Sequence, residues 1–299
     1  VESLMCYRPD SDPQALFAAV DGSVYDASIQ GVPVEVLSGN GSSRWQYTNF
    51  AVPGGSSYLY MVNGADNPRY WDGTAWGTPT LSGGPAQTSF IQIHSHMNRL
   101  WFIPALSTNV YYLGASAITG AVTSLPLGSF LTQGGYIVAM ATWAYNGGQG
   151  PQALAVFISS RGQVIIYAGT DPTSASTWTL QGVFDLPPPL GTRCFTQIGA
   201  DVGIITQQGV LPLSQTVQLD TGAVRAAAIT GRIQNAMLQS AQAYQTNFGW
   251  QIISYPAQGL LFLNVPQQTN TSQVQYVMNF LNGSWTQFTG WNANCLELF

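Results

Sequence analysis

The sequence predicts an all-β chain, because short apolar runs alternate with polar, Gly-bearing turns along most of its length. Six units can be aligned, each an apolar strand, a polar turn and a second apolar strand. They begin at residues 16, 59, 100, 154, 202 and 260, so the steps run from 41 to 58 residues. Multi-stranded repeats at such spacings are typical of a β-propeller. We therefore expect one propeller domain of about six blades, over residues 1–299.

Tight turns mark the middle of these units. Asp-Gly and Asn-Gly pairs favour hairpin turns, because both residues tolerate positive φ. The stretch YWDGTAW at 70–76 has this pattern, with aromatic, strand-prone residues on both sides of the turn. The residues assigned to hairpin turns are Asp21, Gly22, Asn63, Gly64, Asp72, Gly73, Gly162, Gly209, Asn282 and Gly283.

Tryptophans follow several turns within a few residues, as in GNGSSRW (39–45), YWDGTAW (70–76), DPTSASTW (171–178) and NGSW (282–285). We expect such large rings to pack between neighbouring blades and cover a sheet. The alternative is an aromatic platform that binds sugar. The aromatic residues assigned to blade packing are Trp45, Trp71, Trp76, Trp101, Trp178 and Trp285.

One segment departs from the β pattern. Within residues 223–245, apolar side chains recur at helical spacing with polar residues opposite. We expect one amphipathic helix near 230–245, packed on a blade edge, with Thr230 as its candidate N-cap. Loops rich in Gly, Pro and Ser are expected to connect blades, at 38–43, 81–87, 146–152 and 186–191.

The chain is poor in charge. Charged residues make up 7%, lysine is absent, and eight arginines face 13 acidic residues for a net charge of −5. A protein that neutralises nucleic-acid phosphates needs a basic stripe, so that function is not expected. A surface past which DNA slides without binding remains compatible. So few charges give an isolated chain little colloidal protection, which favours a place inside an assembly.

No motif predicts catalysis, a metal site or a cofactor. His94 and His96 lie two apart on an expected strand and so share one side of it. A metal site needs further ligands, and no Cys, Asp or Glu lies within ten residues, so structural or surface roles are expected. The three cysteines, at 6, 194 and 295, are far apart and are expected to be reduced and structural.

The few charged side chains have simple expected roles. Arg44, Arg69 and Arg99 fall at comparable places in successive units, and they are expected either to pair with Asp66 or Asp72, to contact a neighbouring subunit, or to be solvated. Acidic residues in turns are expected to accept hydrogen bonds from nearby backbone. These are Asp21, Asp66, Asp72, Asp171, Asp201 and Asp220.

Several stretches resemble a known family. They are MVNGADNPRYWDGTAWG (61–77), HSHMNRLWFIPALSTNVYYLG (94–114) and residues 155–194, which include FISSRGQVIIYAGTDP. These are similar to the β-propeller region of the tail tubular, or nozzle, proteins of short-tailed bacteriophages and of related phage DNA-stabilisation structural proteins. The segment ITGRIQNAM at 229–237 also resembles that group.

The resemblance implies a non-enzymatic component of the virion, located in the phage tail. Such proteins form a homo-oligomeric ring, commonly a hexamer, below the portal and its adaptor. The ring retains DNA in the filled head and lets it pass at infection without specific binding. The implied partners are the portal adaptor, tail fibre or spike proteins, and the host envelope. In the family, segments flanking the propeller build the tube wall, so a longer chain is expected here.

Two other functions stay open. YWDGTAW can be compared with the Asp-x-Gly-x-x-Trp hairpins of sialidase-like blades, which would indicate a glycan-binding or glycan-cleaving propeller. A clear arginine triad and the preceding Ser-x-Asp order are missing from this sequence. The second alternative is a secreted propeller that binds other proteins and is a stable monomer. Propellers host many activities, so the fold does not choose among these functions.

Overall fold

A computed structural model describes residues 1–10, 13–146, 151–217, 219 and 223–299. Six sheets of three or four antiparallel strands follow one another along the chain, and each is built from sequential strands. This is the six-bladed all-β propeller that the repeats predict, with one inserted long helix, so the predicted fold class is confirmed. Asp220 and residues 147–150 lie outside the described residues.

The chain divides into two compact units. Unit 1 contains Val1–Ser129 and Glu297–Phe299, and unit 2 contains Phe130–Leu296. Blades 1 to 3 belong to unit 1 and blades 4 to 6 to unit 2. The single domain over 1–299 stays a prediction.

Blades 1 and 2 have the same plan of four antiparallel strands. The turn between the second and third strands of blade 1 has Asp21 at φ 49° and Gly22 at φ 78°, as a two-residue hairpin of the right twist requires. The strands of blade 1 are β1 (Ser3–Tyr7), β2 (Ala15–Val20), β3 (Ser23–Asp26) and β4 (Val34–Leu37). Those of blade 2 are β5 (Gln46–Ala51), β6 (Ser57–Val62), β7 (Arg69–Trp71) and β8 (Trp76–Gly77).

Blade 3 has a small addition. After blade 2 the chain forms the short strand β9 (Leu81–Ser82), which pairs in parallel with β13 (Gly120–Ala121). A 3-10 turn at Gln87–Ser89 precedes the blade, and another at Gly128–Phe130 follows it. The four blade strands are β10 (Phe90–His96), β11 (Arg99–Pro104), β12 (Asn109–Tyr112) and β14 (Thr123–Pro126).

Blade 4 has the longest strands of unit 2. Asn146 pairs with Pro151 across the first hairpin, so the 146–152 segment joins two strands of one blade. The prediction that this segment connects blades is therefore wrong, because the strands extend further than the Gly-rich composition indicates. The strands are β15 (Ile137–Asn146), β16 (Pro151–Ser159), β17 (Gln163–Gly169) and β18 (Trp178–Asp185).

Blade 5 has three strands, and helical segments follow them. The N–H of Ile229 donates to the carbonyl of Val210 (3.0 Å), and the N–H of Val210 donates to Thr230 Oγ1 (3.2 Å). The sequence predicted that Thr230 caps the helix, and this prediction is wrong for its side chain. The hydroxyl instead accepts a hydrogen bond from β21 at the edge of the sheet. The elements are β19 (Phe195–Ile198), β20 (Asp201–Thr206), β21 (Gly209–Pro212), α1 (Leu213–Thr216), two 3-10 turns (Val224–Ala227, Gly231–Ile233) and α2 (Gln234–Tyr244).

The helix packs as the sequence predicts. Met237, Ser240 and Ala241 are buried on one face of α2. Met237 and Ala241 belong to the core shared by blades 4 to 6. Blade 6 follows with β22 (Gln251–Tyr255), a 3-10 turn (Pro256–Gln258), β23 (Leu260–Gln268), β24 (Ser272–Asn279) and β25 (Trp285–Phe288).

The repeat found in the sequence corresponds to one position in each blade. The six predicted unit starts all fall in the second strand of a blade, namely in β2, β6, β11, β16, β20 and β23. These strands are flanked on both sides by others, so they are the most apolar part of each sheet. Their side chains contribute to the cores of unit 1 and unit 2. Burial of these cores is the main driving force for folding.

Candidate functional site

The predicted hairpin residues occupy turns or strand ends. Asp21-Gly22 joins β2 to β3, Asn63-Gly64 follows β6, and Asp72-Gly73 joins β7 to β8. Gly162 joins β16 to β17, Gly209 begins β21, and Asn282-Gly283 lies between β24 and β25. At Gly162 the backbone has φ 91°, and a Cβ would lie 2.0 Å from the carbonyl oxygen of Leu186. Only glycine fits there without a shift of the backbone.

The turn in YWDGTAW is built by Asp72. Its Oδ1 accepts hydrogen bonds from the N–H of Thr74 (2.8 Å) and of Ala75 (2.7 Å). The two tryptophans beside the turn lie against Phe17 of blade 1, with ring centroids 5.5 Å away for Trp71 and 4.9 Å for Trp76. Both contacts are edge-on, which aromatic rings favour. This hairpin therefore packs its rings on the neighbouring blade.

The other predicted tryptophans have different partners. Trp45 is buried in the core shared by blades 1 and 2. Trp101 lies 4.8 Å from the Tyr112 ring of its own blade, and Trp178 stacks on Tyr167 at 5.4 Å within blade 4. Trp285 donates its Nε1–H to the carbonyl of Ile229 (3.2 Å), in the segment before α2. Rings after a turn thus pack either between blades or within one.

Two tryptophans outside that set have clear positions. Trp250 is buried and donates its Nε1–H to the carbonyl of Tyr244 (2.9 Å), at the end of α2. Trp291 follows the last strand and is 51% exposed. The sequence signal for Trp291 is the preceding Gly290, but this tryptophan lies after the sheet rather than inside a hairpin.

The two histidines lie on β10, the first strand of blade 3. Burial lowers the pKa of His94 to about 4. Burial, with a smaller effect of His94, lowers the pKa of His96 to about 3. Both side chains are therefore neutral at pH 7. Within the described residues, no group of three His, Cys, Asp or Glu side chains could hold a metal ion.

A strained turn follows His96. Met97 and Asn98 have φ 47° and 57°, and Ser116, which contacts Asn98, has φ 58°. Asn98 Nδ2 donates to Ser116 Oγ, and the Ser116 N–H donates to the Asn98 carbonyl, both at 2.8 Å. Non-Gly residues at positive φ cost free energy and cluster at functional positions.

The turn borders a cavity of about 280 Å³ at the ends of β5 and β10. The cavity offers amide and hydroxyl groups and the buried His96 imidazole, so it suits a small neutral polar group rather than an ion. Its lining consists of Asn49, Phe50, Ala51, Ser95, His96, Met97 and Asn98.

A polar cluster in unit 1 fixes the C-terminal residues beside β1 and β5. Arg8 Nη2 lies 3.1 Å from Glu297 Oε1 and also donates to the carbonyl of Leu298. Asn49 bridges the strands, because its Oδ1 accepts from the Arg8 N–H and its Nδ2 donates to the Cys6 carbonyl, both at 2.9 Å. Burial and the Glu297 carboxylate raise the pKa of Tyr47 well above its usual value. The cluster is thus a structural anchor.

The remaining predicted charged residues have local partners. Arg44 pairs with Glu2 (3.1 Å), a partner that the sequence did not predict. Asp66 instead accepts from the N–H groups of Gly41 (2.9 Å) and Ser42 (3.4 Å). Arg69 donates a hydrogen bond to Thr78, and the Arg99 guanidinium lies over the Tyr112 ring (5.8 Å). Asp171 accepts a hydrogen bond from the N–H of Thr173 (3.1 Å). Asp201 accepts one from the N–H of Val202 (2.8 Å).

The three cysteines are free and buried. Burial raises the pKa of Cys194 to about 12, so this thiol stays protonated and unreactive at neutral pH. Burial also raises the pKa of Cys6. No helix in the described ranges has the length and apolarity that a membrane crossing requires.

The most exposed apolar surface of unit 1 lies on the outer hairpin of blade 1. Ile29, Val32 and Val34 are 85%, 92% and 66% exposed, within six residues of one another in the chain. We refer to these three residues as the aliphatic patch. Val34 begins β4, the last strand of the blade, which pairs on one side with β3. Exposed apolar side chains that lie together can form a surface that binds another protein.

Comparisons with known proteins find only distant structural likeness. No protein-family model matches the chain, and no curated protein matches it. A structure of a nidogen/laminin complex is similar over 92% of this chain and 93% of that chain, at 9% identity and a TM-score of 0.44. A structure of YCF48 bound to D1 peptide is similar over 96% of this chain and 81% of that chain, at 11% identity and a TM-score of 0.48. Likeness at this level carries no argument about function.

Proposed function

We propose that this protein is a non-enzymatic structural protein of a tailed-bacteriophage virion, and that it belongs to the tail nozzle. Its copies form a ring, commonly of six, below the portal and its adaptor. The ring retains the genome in the filled head and lets it leave at infection. Its further partners are tail fibres or spikes and the host envelope.

The observation that carries the assembly part of the proposal is the aliphatic patch. Three aliphatic side chains, each at least 66% exposed, would cost free energy in an isolated protein, because apolar surface in contact with water is unfavourable. Glu35 is a charged neighbour of Val34, but a chain with 7% charged residues has few charges in all to keep such a surface soluble. A neighbouring subunit that covers the patch removes this cost.

The low charge also suits the proposed path of DNA. Eight arginines and no lysine among 299 residues leave the protein with a net charge of −5. Each phosphate contact made by a basic residue strengthens binding, so a basic surface would slow a moving genome. An acidic, amide-rich surface lets DNA pass without specific contacts.

The test is the mass of the protein at its natural length, measured by light scattering. We expect an oligomer for the wild type, and a shift toward monomer for the double variant Ile29→Ser, Val32→Ser. Leu106→Ser is the matched control, because Leu106 is also an exposed aliphatic residue of unit 1 but lies in a different turn. A monomeric wild type, or an oligomer that the double variant leaves unchanged, would contradict the role of the patch.

A further inference from the structure

The last blade lies in a stretch of sequence without charge. Between Arg232 and Glu297 the sequence contains no Asp, Glu, Lys, Arg or His. The polar side chains of blade 6 are therefore uncharged, and a charge reaches the blade from Arg232, whose Nη1 donates to the carbonyls of Asn282 and Gly283, both at 3.1 Å, before β25 begins. Trp291 follows the other end of β25, where the chain offers neutral hydrogen-bond donors and acceptors.

Trp291 presents a fixed aromatic ring on this surface. It is 51% exposed. Its ring is nearly parallel to Phe262, at 6.4 Å and 16°, and meets Phe288 edge-on, at 5.4 Å and 81°. Two aromatic neighbours therefore hold the indole in one orientation while about half of its surface stays open to solvent.

The backbone beneath this ring is also fixed. Gln275 Nε2 donates to the carbonyl of Trp291 (3.0 Å) and to Asn264 Oδ1 (2.7 Å). Asn264 Nδ2 donates to the carbonyls of Gly249 (2.8 Å) and Ala293 (3.0 Å). Gln275 and Asn264 are fully buried, and buried hydrogen bonds of this kind are costly to break. The platform is thus pre-organised, which lowers the entropic cost of binding a ligand.

Exposed polar residues surround the ring in the chain. Thr289 lies two residues before Trp291 and Asn292 directly after it, and both are exposed, as are Thr286 and Gln287 on β25. Their hydroxyl and amide groups can donate and accept hydrogen bonds. The aliphatic patch of blade 1 differs, because its three exposed side chains are aliphatic, with Gln30 and Glu35 exposed beside them.

We propose that Trp291 is a stacking platform for one ring of a neutral glycan, with the adjacent amide and hydroxyl groups bonding the sugar hydroxyls. A pyranose ring has an apolar C–H face that suits the electron-rich face of an indole. Its hydroxyl groups match neutral donors and acceptors. The uncharged residues on both sides of Trp291 in the chain favour a neutral sugar over nucleic acid, an anionic lipid or a charged peptide. This site goes beyond the proposed tail function and does not depend on ring formation.

The test is binding to a panel of neutral oligosaccharides built from glucose, galactose, mannose or N-acetylglucosamine, followed by tryptophan fluorescence and calorimetry. We expect the wild type to bind at least one of them, and Trp291→Ala to weaken that binding at least about tenfold. Trp291→Phe should keep part of the affinity, because an aromatic face remains. Leu281→Ala is the matched control, since Leu281 is a 94% exposed residue of the same blade.

The outcomes separate this site from the assembly surface. The double variant Ile29→Ser, Val32→Ser should bind the sugar as the wild type does, whatever its mass. The proposal is overturned if no oligosaccharide of the panel binds when it is present at about 10 mM. The binding free energy would then be weaker than about −3 kcal/mol. It is also overturned if Trp291→Ala binds sugar as tightly as the wild type. A third contrary result is a changed oligomer mass in Trp291→Ala when the wild type binds no sugar, because Trp291 would then be a protein contact.

Discussion

Blade 2 and blade 6 both place tryptophans around a Gly-bearing hairpin, but they use these rings differently. In blade 2, Trp71 and Trp76 lie edge-on against Phe17 of blade 1. In blade 6, Trp285 bonds the segment before α2, and Trp291 beyond the sheet stays half exposed. The tryptophans beside the turn of blade 2 are thus packing residues, whereas Trp291, which follows the last strand of blade 6, keeps about half of its surface exposed.

Unit 1 and blade 6 also differ in the polar interactions that stabilise them. Unit 1 contains both histidines and the Arg8–Glu297 ion pair. Blade 6 relies on neutral buried amides, among them Asn264 and Gln275. Neutral hydrogen bonds are insensitive to pH and salt, whereas charged and titratable groups are not. Four experiments can test whether these differences hold.

The largest difference is expected between a buried and an exposed tryptophan. Trp45→Ala should lower the free energy of unfolding by about 3–5 kcal/mol, because it removes a large, fully buried ring from the core of blades 1 and 2. Trp291→Ala should change it by less than about 1 kcal/mol. Denaturant unfolding of both variants measures this difference. Equal losses would show that Trp291 is a core residue and would remove the distinction.

Acid should destabilise the protein through the histidines of unit 1. The pKa of His96 is lowered to about 3 from 6.5, so the unfolded chain binds its proton more readily than the folded protein below pH 6.5. Stability is therefore complete above pH 6.5 and falls as the pH drops toward 3. At pH 4.5 the loss should reach about 2–3 kcal/mol for this group.

The control for this prediction is His96→Gln, which keeps a polar side chain but does not titrate. Its unfolding free energy should depend less steeply on pH between 6.5 and 4.5 than that of the wild type. The absolute stability of the variant is not the readout, because the substitution also changes packing. An identical pH dependence in both proteins would rule out His96 as the source of the acid sensitivity.

The two hairpin glycines should differ by a smaller amount. Gly73 has φ 96°, and a Cβ there would lie 3.0 Å from Tyr7 Oη. Gly283 has φ 62°, with Arg232 Nη1 as the nearest atom at 3.8 Å. Gly73→Ala should lower the free energy of unfolding by about 2–3 kcal/mol, and Gly283→Ala by about 1 kcal/mol. The second loss is smaller because it comes only from the left-handed backbone conformation. Thermal unfolding of the pair tests this, and a reversed order would contradict the tighter packing of blade 2.

The smallest effect is expected at the ion pair. Arg8 is partly exposed, so Arg8→Ala should cost at most about 1 kcal/mol, less at high salt. Asn264→Ala removes buried amide hydrogen bonds to Gln275 and to the backbone after β25. It should lower the free energy of unfolding by about 2 kcal/mol at any salt concentration. Unfolding at about 0.05 M and 1 M NaCl distinguishes them. A larger loss for Arg8→Ala would mean that the charged anchor dominates.

Local rules in the sequence predicted much of the fold. Three features are each determined within a few residues: the turns at Asp21-Gly22 and Asp72-Gly73, the six apolar second strands, and the helical spacing of Met237 and Ala241. Asp21 and Gly22 both have positive φ, whereas at Asp72-Gly73 only the glycine does. The hydroxyl of Thr230 was assigned wrongly because Val210, twenty residues away, uses it. The partner of a hydroxyl depends on tertiary packing, which a local pattern does not contain.

The candidate sites were less predictable, because they are formed by distant residues. Arg8 and Glu297 meet across 289 positions of sequence. Arg44 pairs with Glu2, where the sequence offered Asp66 or Asp72. The left-handed turn at Met97-Asn98 has only Asn98 as a local signal, since methionine rarely adopts positive φ. The exposure of Trp291 and of the aliphatic patch depends on what covers each surface, which the sequence alone does not encode locally.

We propose that this propeller is a subunit of a phage tail ring. Electron micrographs of the protein at its natural length, with particles sorted by rotational symmetry, would reveal such a ring. We expect hollow rings, commonly six-fold, that disappear in the Ile29→Ser, Val32→Ser variant. Single propellers without ring formation, in the presence of a phage portal and adaptor as well as alone, would contradict it.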